Sequence, residues 1–382
     1  MRILFPTLAR FPSPRASIVQ VANMAQAFAE CGHHVRLVAP AGPDPNDDDA
    51  VDPAERFGFS PAFSVVTLSR RIHRGQSVLH AARIARMAGG RTDLVFSRNL
   101  RACLLPAMRG VPTVFEAHTL TSLQRPQDRW VLQRLHRAPG FRGIVAISQA
   151  LADDLVTELG VDADRILVAH DAVRLADMPA PEPLPPAAPG SIRVLYTGSM
   201  FRGRGVELLV ALAEREHRVV LHLVGGPEEA AHRWAAEAPR ARADGRLVVH
   251  GPVSPARARA LQQGADVLVA PFARQVATDS GIDSSRWMSP MKVFEYLASG
   301  RPMIISDLPV LHEVIRPDVD ALMVPPEDVD ALAAAVRRLG DDPSLAERLA
   351  TEARARVERE FTWDLRVQRI LARFVPEASG QH

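Results

Sequence analysis

Short apolar runs bounded by turn residues alternate with segments of helical periodicity along the whole chain. Apolar runs of about four to eight residues are typical of buried strands, and helical periodicity between them is typical of crossover helices. The alternation predicts parallel β-sheets covered by helices, which is a doubly wound α/β architecture. In the first half, the predicted strands lie at 2–8, 35–39, 64–68, 93–97, 113–116, 144–147 and 166–168.

A proline-rich segment separates the two halves. Residues 177–190 contain six prolines, a density that neither a helix interior nor a central strand tolerates, so we expect a semi-rigid interdomain linker there. The chain is thus predicted to have one Rossmann-like domain at 1–176 and a second at 191–360. In the second half, the predicted strands lie at 193–196, 219–224, 247–250, 267–270, 303–305 and 322–324.

The closing segment predicts an amphipathic helix within residues 361–382. We expect this helix to cross back and pack on the first domain. Ligands of doubly wound sheets bind at the carboxyl ends of the strands, so two parallel sheets facing across a cleft would provide two half-sites. The residues on the apolar face of the helix are Trp363, Val367, Ile370, Leu371 and Phe374.

The composition is that of a globular protein. The 382 residues are 47% hydrophobic and 24% charged, and no apolar run approaches the roughly 20 residues that span a bilayer. The N-terminus has no charged leader followed by a long apolar stretch, so we expect a cytoplasmic protein, with the inner face of the membrane as the alternative. A net charge of +2 gives no reason to expect a nucleic-acid partner. Cys31 and Cys103 lack metal-ligand spacing and are expected to be buried thiols.

Two charged segments each have a functional and a plain interpretation. Asp47, Asp48 and Asp49 have the chemistry of a metal site, but they lie in a polar loop, so a solvated acidic loop and no bound metal are expected. Residues 69–91 carry six arginines among apolar residues. This segment is interpreted either as a solvated helix face or as a peripheral contact with an anionic membrane.

The stretch 289–306 has the pattern of an anion-binding helix start. Ser289 is a good N-cap and Pro290 suits the first helical position, which leaves the backbone N–H groups of Met291 and Lys292 available to phosphate. Lys292 and Glu295 share one face, so a cation that meets a diphosphate would be followed by a carboxylate that accepts hydrogen bonds from ribose hydroxyls. Every other Lys or Arg position in the chain is Arg. The alternative is an ordinary capped helix with a surface Lys–Glu pair.

The loop 196–205 follows a buried strand and precedes a helix. Its three glycines, Gly198 among them, allow the backbone to approach a ligand closely, and Arg202 and Arg204 carry forked donors that suit phosphate oxygens. Together with Lys292, these arginines would neutralise a leaving diphosphate. The pattern is weak by itself, since many α/β loops share it.

These motifs resemble the family 4 retaining glycosyltransferases of the GT-B fold. The resemblance implies an acceptor-binding first domain, a nucleotide-sugar-binding second domain and no cofactor beyond the nucleotide-diphosphate sugar as co-substrate. In the second half it is carried by 196–205, 224–227, 249–253, 265–271 and 289–306. In the first half it is looser and is carried by 28–35, 115–119 and 146–151.

The resemblance assigns donor-site roles residue by residue. The Arg and Lys that hold the donor diphosphate in the family fall on Ser199 and Arg204, so Ser199 is a departure for which Arg202 can compensate. The ribose-binding Glu of the family falls on Glu295, whereas its other Glu falls on Trp287. The resemblance also places Gly225 and Val253 at the donor, with the base read largely through backbone contacts near Val253.

His118 follows a predicted strand, at the end where doubly wound sheets bind ligands. A lone histidine is more often structural, but the His that the family places at this strand end touches the donor sugar. The resemblance thus makes His118, Arg204 and Lys292 the catalytic candidates.

Further polar residues of the first half are candidates for the acceptor side. Arg98, Glu116 and Asp171 fall at or just beyond strand ends, where they would either line the site or form salt bridges between loops. Arg15 and Ser17, in the loop after the first strand, would contact donor phosphate or acceptor.

The function implied is transfer of a sugar from a nucleotide-diphosphate sugar to a hydroxyl acceptor, with retained anomeric configuration. A glycan, a lipid-linked sugar or a small molecule would serve as the acceptor. The alternatives are a non-catalytic nucleotide-sugar-binding or scaffold protein of the same fold and, less favoured, a sugar-nucleotide epimerase.

Overall fold

The chain forms two compact units. The computed structural model describes residues 1–13, 15–40, 52–68, 76–89, 91–121, 123–176, 178–201, 203–277, 281 and 283–375. Unit 1 comprises Met1–Asp171 together with Trp363–His382, and unit 2 comprises Ala172–Thr362. The chain therefore passes between the units twice. Next to these two passages, the Val173 N–H donates to the Phe361 carbonyl at 3.0 Å.

Unit 1 is built on a parallel sheet, which has seven strands within the described ranges, in the order β3-β2-β1-β4-β5-β6-β7. The order reverses between β1 and β4, which is the point where doubly wound sheets bind ligands. The strands are β1 (Arg2–Pro6), β2 (His34–Pro40), β3 (Ser64–Leu68), β4 (Leu94–Ser97), β5 (Thr113–Ala117), β6 (Phe141–Ala146) and β7 (Ile166–Val168). The helices are α1 (Ala16–Glu30), α2 (Pro53–Phe57), α3 (Gln76–Ala88), α4 (Leu100–Met108), α5 (Pro126–His136), α6 (Gln149–Leu159) and α14 (Trp363–Phe374), with a 3₁₀ turn at Ala163–Arg165.

Unit 2 repeats the architecture with a parallel sheet in the order β10-β9-β8-β11-β12-β13. Its order reverses between β8 and β11. The strands are β8 (Ile192–Thr197), β9 (Val219–Val224), β10 (Leu247–Gly251), β11 (Val267–Ala270), β12 (Met303–Ser306) and β13 (Leu322–Val324). The helices are α7 (Val206–Arg215), α8 (Glu228–Ala236), α9 (Pro239–Ala243), α10 (Pro255–Gly264), α11 (Met291–Ala298), α12 (Val329–Asp341) and α13 (Pro343–Glu360), with a 3₁₀ turn at Pro309–Glu313.

Every predicted strand is confirmed, with differences confined to the ends. Parallel strands are buried on both faces, so continuous apolar runs mark them well. The largest difference is β6, which begins at Phe141 rather than at 144. Arg142 is exposed and Gly143 carries no side chain, so the continuous apolar run in the sequence begins only at Ile144.

The proline-rich segment differs from the linker predicted at 177–190. From residue 178 onward it belongs to unit 2 and packs on α10; Asp177 lies outside the described residues. The Glu182 N–H donates to the Ala260 carbonyl at 3.0 Å, and Leu184 is 3% exposed in the core. Prolines prevent regular secondary structure but not burial, which explains the difference.

The closing helix α14 belongs to unit 1 and packs against α1. Its buried face contains Trp363, Val367, Ile370 and Phe374, as the pattern predicted, and also Arg366, which is 3% exposed. Among the helices in the described ranges, none is long and apolar enough to cross a membrane.

Candidate active site

The loops after β8, β9 and β10 are held side by side at the carboxyl edge of the second sheet. The Gly198 N–H donates to the Val224 carbonyl at 3.0 Å, and the Gly225 N–H donates to the Gly251 carbonyl at 2.8 Å. A Cβ on Gly225 would lie 2.6 Å from the Gly198 carbonyl oxygen, so only glycine fits there. The Gly198 and Gly225 backbones predicted for donor binding thus lie next to each other.

Lys292 reaches this edge from the first turn of α11. Its Nζ lies 4.0 Å from the centre of the Tyr196 ring and would be 2.9 Å from a Cβ on Gly198. This ammonium nitrogen is buried and has no hydrogen-bond partner within the described ranges. Burial, reinforced by the charge of Arg204, holds the pKa of Lys292 well below its usual range. A buried cation without a partner anion is a site that an anionic ligand would complete.

Glu295 lies one turn along the same helix, in a polar pocket of its own. Burial raises the pKa of Glu295, although Arg259 and a hydrogen bond with Gln262 oppose the rise. Gln262 in turn donates to the Thr197 hydroxyl at 3.0 Å. The carboxylate is therefore positioned by side chains from β8 and α10, at the place where the ribose contact is predicted.

The start of α11 differs from the prediction. The helix begins at Met291 and its N-cap is Pro290, with ψ at 117° and no side-chain capping hydrogen bond. Ser289 was predicted as the N-cap, but it lies one residue outside and is 7% exposed. The extended backbone of Pro290 explains the displacement, because a residue with that ψ is not yet helical. After the helix, Gly300 takes the left-handed conformation with φ at +72°.

The glycines of the loop after β8 have a structural explanation that the sequence did not reveal. A Cβ on Gly203 would lie 2.1 Å from the Gln275 carbonyl oxygen, and one on Gly205 would lie 1.7 Å from that of Pro271. The protein's own backbone therefore requires glycine at these two positions, whether or not a ligand approaches the loop. Only Gly198 faces the Lys292 amine.

The basic residues predicted in this loop can be placed only in part. Arg204 is partly exposed, and its Nε is buried without a hydrogen-bond partner within the described ranges. Arg202 lies outside the described residues. Ser199, which replaces the family's Arg, accepts a hydrogen bond from the Tyr196 hydroxyl through its carbonyl at 2.5 Å.

Val253 and Trp287 are two further positions of unit 2 to which the family resemblance assigned a place at the donor. Val253 is partly buried in the loop after β10 and packs against the core that includes α11. Trp287, which stands where the family has a Glu, is partly buried just before α11, and its backbone N–H donates to the Ser284 carbonyl at 3.0 Å. Its indole has no carboxylate to offer a sugar hydroxyl.

A cavity of about 1070 Å³ lies at the other edge of the second sheet. It is bordered by the residues that begin β8, β11 and β12, so it is separate from the Lys292 edge. Its arginines are engaged: Arg193 forms two side-chain hydrogen bonds with Asp266, and Arg218 pairs with Asp341 at 2.8 Å. Among the described residues, the lining of this cavity includes no unpaired cationic group comparable with Lys292.

In unit 1, His118 follows β5 directly. Its Nε2 lies 3.6 Å from Oε2 of Glu116, and both atoms are buried without a hydrogen-bond partner within the described ranges. Burial, together with the charge of Arg98, lowers the pKa of His118 to about 4. The imidazole is therefore neutral at neutral pH.

Glu116 belongs to a buried polar network at the carboxyl edge of the first sheet. Its Oε1 accepts hydrogen bonds from Arg366 at 2.5 Å and from Gln20 at 3.0 Å. Gln20 also donates to Asp171 at 3.3 Å and accepts from Arg98 at 2.9 Å. The structure thus brings the three predicted residues together, through a glutamine and an arginine that the sequence analysis did not single out.

The network shifts the pKa values of its two carboxyl groups in opposite directions. Burial opposes ionisation of Glu116, but the Arg366 guanidinium holds its pKa below the usual range. Burial raises the pKa of Asp171 to about 6, because Arg366 only partly offsets the loss of solvation. With exposures of 1% and 5%, Glu116 and Asp171 are interior groups that hydrogen-bond to the protein.

The remaining predicted residues of the first half are peripheral or undescribed. Arg15 and Ser17 are exposed at the start of α1, where the Ser17 carbonyl accepts from Arg98 at 3.1 Å. Asp47, Asp48 and Asp49 lie outside the described residues. Within 69–91, the backbone is described for 76–89 and 91; there Ile84, Ala85 and Ala88 are buried, which leaves Arg83 and Arg86 at the surface.

Sequence reasoning missed the residues that position the predicted ones. Tyr196 and Gln262 looked like core and helix-surface residues, and nothing in their local pattern distinguishes them. Arg366 did carry a signal, because it falls on the apolar face of a helix between Trp363 and Val367, where a charge needs a buried partner.

Two family profiles match consecutive parts of the chain. The family described as Glycosyltransferase Family 4 matches residues 19–177. The family described as Glycosyl transferases group 1 matches residues 191–342. The two matches cover most of both units and leave out α14.

The chain is similar to enzymes that transfer sugars. It is 28% identical over 382 aligned positions, covering 91% of this chain and 88% of the relative, to the D-inositol 3-phosphate glycosyltransferase of Xylanimonas cellulosilytica. It is 24% identical over 380 positions, covering 90% and 86%, to the glycogen synthase of Mycobacterium tuberculosis.

The fold matches known structures over nearly the whole chain. HepE of Anabaena, solved in complex with UDP, superposes with a TM-score of 0.72 at 15% identity, covering 97% of this chain and 98% of that one. The two parallel-sheet units, the family profiles and the named relatives all indicate the same family. The chain belongs to the family 4 glycosyltransferases, enzymes of the α/β GT-B fold.

Proposed function

We propose that this glycosyltransferase takes its sugar from a nucleoside-diphosphate sugar bound at the carboxyl edge of the second sheet. The observation that carries the proposal is the buried, unpartnered Nζ of Lys292 beside Gly198. A diphosphate at this place would give the amine the counter-charge that the described part of the protein does not supply. Arg204 would share the negative charge, and Glu295 would accept hydrogen bonds from the ribose.

We further propose that the transfer retains the anomeric configuration. When the bond to the diphosphate breaks, the sugar becomes oxocarbenium-like and the negative charge on the leaving group grows. Lys292, Arg204 and the N-terminal end of α11 would stabilise that charge. Retention is what the resemblance implies, with the incoming hydroxyl attacking from the face that the diphosphate leaves.

His118 would bind a hydroxyl of the sugar in this proposal. As a neutral imidazole it offers one donor and one acceptor, which suits a hydroxyl better than a charged group. The acceptor is a hydroxyl compound bound by unit 1, and no metal or other cofactor is required, because cationic side chains do the work of a metal at the diphosphate.

The base of the donor is proposed from a neighbour. HepE was solved with UDP, so uracil is the first base to test. A cytoplasmic location and contact of residues 69–91 with an anionic membrane remain part of the proposal. The buried Ile84 and Ala88 leave only the basic side of the described part of α3 for such a contact.

The first test is thermal shift with UDP, GDP, ADP and dTDP, each without and with magnesium. A ligand that binds the native state alone at 100 times its dissociation constant adds about 2.7 kcal/mol of stability. One nucleotide should raise the melting temperature without magnesium. If no nucleotide does, the donor assignment is wrong, and a non-catalytic scaffold role would be examined next.

Substitutions at α11 make the donor site itself testable. Lys292→Met and Glu295→Gln should each weaken binding of the selected nucleotide about 10- to 100-fold, because a hydrogen bond to a charged group contributes about 1.5–3 kcal/mol. Isothermal titration calorimetry measures the affinities. Arg359→Met, which removes an exposed charge of α13, should leave the affinity unchanged. Unaltered affinity in both α11 variants would contradict the assignment.

A further inference from the structure

The environment of His118 differs sharply between its two ring nitrogens. Nε2 is buried and faces Oε2 of Glu116, whereas Nδ1 makes no hydrogen bond within the described ranges and is not among the buried polar atoms. One nitrogen is therefore directed into the protein and the other remains open to a ligand.

Glu116 has one occupied and one unoccupied carboxylate oxygen. Oε1 accepts from Arg366 and from Gln20, while Oε2 has no donor within the described residues. Arg366 also donates to the Ala169 carbonyl at 3.1 Å and to the His170 carbonyl at 2.8 Å. The guanidinium is thus fixed by the chain segment that follows β7, and it fixes the carboxylate in turn.

The hydrogen shared by Glu116 and His118 belongs on Nε2 of His118 and not on Oε2 of Glu116. A carboxylate paired with a buried guanidinium is ionised, and an ionised carboxylate can only accept hydrogen bonds. If Oε2 and Nε2 satisfy each other, Nε2 must carry the hydrogen. The separation of 3.6 Å is slightly longer than a hydrogen bond, which is common at sites that tighten when a ligand binds.

We propose that Arg366 is a positioning residue that acts through Glu116 to fix His118 as its Nε2–H tautomer, so that Nδ1 accepts a hydrogen bond from a substrate hydroxyl. The identity of that hydroxyl as part of a sugar rests on the proposed function; the tautomer does not. The inference gives α14 a part in the site, although neither family profile reaches it.

Histidine NMR of the full chain tests the tautomer without any substrate. With ¹³C- and ¹⁵N-labelled histidine, His118→Gln identifies the signal by its loss. In the unaltered protein at neutral pH, the ring shifts should be those of a neutral imidazole protonated at Nε2. An Nδ1–H tautomer or an imidazolium would overturn the proposal, even if nucleotide binding is found. Conversely, the expected tautomer would stand if no nucleotide bound.

Variants separate positioning from mere structural support. Arg366→Met should abolish the Nε2–H signature, because Glu116 loses the cation that keeps it ionised, and Arg366→Lys should restore it at least in part. Arg369→Met, an exposed position on the same helix, should leave the His118 signal unchanged. If Arg366→Met lowers the melting temperature and yet keeps the wild-type tautomer, Arg366 has a structural role only and the proposal is wrong. If that variant does not fold, Glu116→Gln replaces it, because the amide at this position can donate to Nε2 and the His118 signal should then change to the Nδ1–H tautomer; an unchanged Nε2–H signal would overturn the proposal.

Discussion

Lys292 combines two properties that oppose each other in the free protein. Its amine is placed where a diphosphate would lie, yet burial and Arg204 disfavour its charged form. A bound diphosphate would reverse this balance, since an anion favours the ammonium. In the proposed complex, binding of the nucleotide and protonation of Lys292 would therefore be coupled.

This coupling predicts proton uptake when the nucleotide binds. Because the pKa of Lys292 in the free protein is lowered and binding raises it, protons are taken up and affinity should fall as the pH rises through the free-protein pKa. Calorimetric titrations in buffers of different ionisation enthalpy measure the uptake. Lys292→Arg, whose guanidinium stays protonated, should abolish it. An equal uptake in that variant would assign the proton to another group.

The residues proposed to contact a ligand are easier to find in the sequence than those that position them. Lys292, Glu295 and His118 stand in motifs that resemble those of the family, and their roles stay predictions. Gln20 and Gln262 act through distant neighbours, so nothing near them in sequence reveals their partners. Arg202 cannot be compared, because it lies outside the described residues.

At the scale of elements, buried strands were the best predicted feature, and connections were the least. A strand such as β9 is marked by its own apolar residues, so local pattern suffices. The proline-rich segment has no periodicity, and the packing of its described part, 178–190, depends on α10, some 80 residues further along. Long-range packing of irregular chain leaves no local signal, which is why this segment was interpreted as a semi-rigid interdomain linker.

The packed segment predicts a stability effect that a free linker would not show. Leu184→Ala should lower the free energy of unfolding by about 2–5 kcal/mol, as is usual for a leucine truncated in a core. Chemical denaturation measures this difference. Pro186→Ala, at an exposed position of the same segment, should change it by less than about 1 kcal/mol. Equal values for the two variants would restore the linker interpretation.

At the scale of the whole molecule, the sequence predicted two doubly wound units and the family, but it placed their boundaries differently. The predicted domain boundary at 176 was placed where the proline-rich segment begins. In the structure, the boundary is set by which residues pack together, and it falls after Asp171. The second passage, after Thr362, was predicted to within two residues because α14 begins there with a clear amphipathic pattern.

The hydrogen bond between Val173 and Phe361 has a consequence for engineering. Unit 2 is an insertion in unit 1, and its two ends are adjacent. Each unit is therefore expected to fold without the other. A chain of residues 172–362 should fold by circular dichroism and keep the nucleotide affinity, since every donor-site residue proposed in unit 2 is included. If that fragment does not unfold cooperatively, unit 2 does not fold independently of unit 1.

A short glycine-serine linker from Asp171 to Trp363 would reconnect the two parts of unit 1. The same two positions would then allow unit 2 to be exchanged for the corresponding unit of a related enzyme.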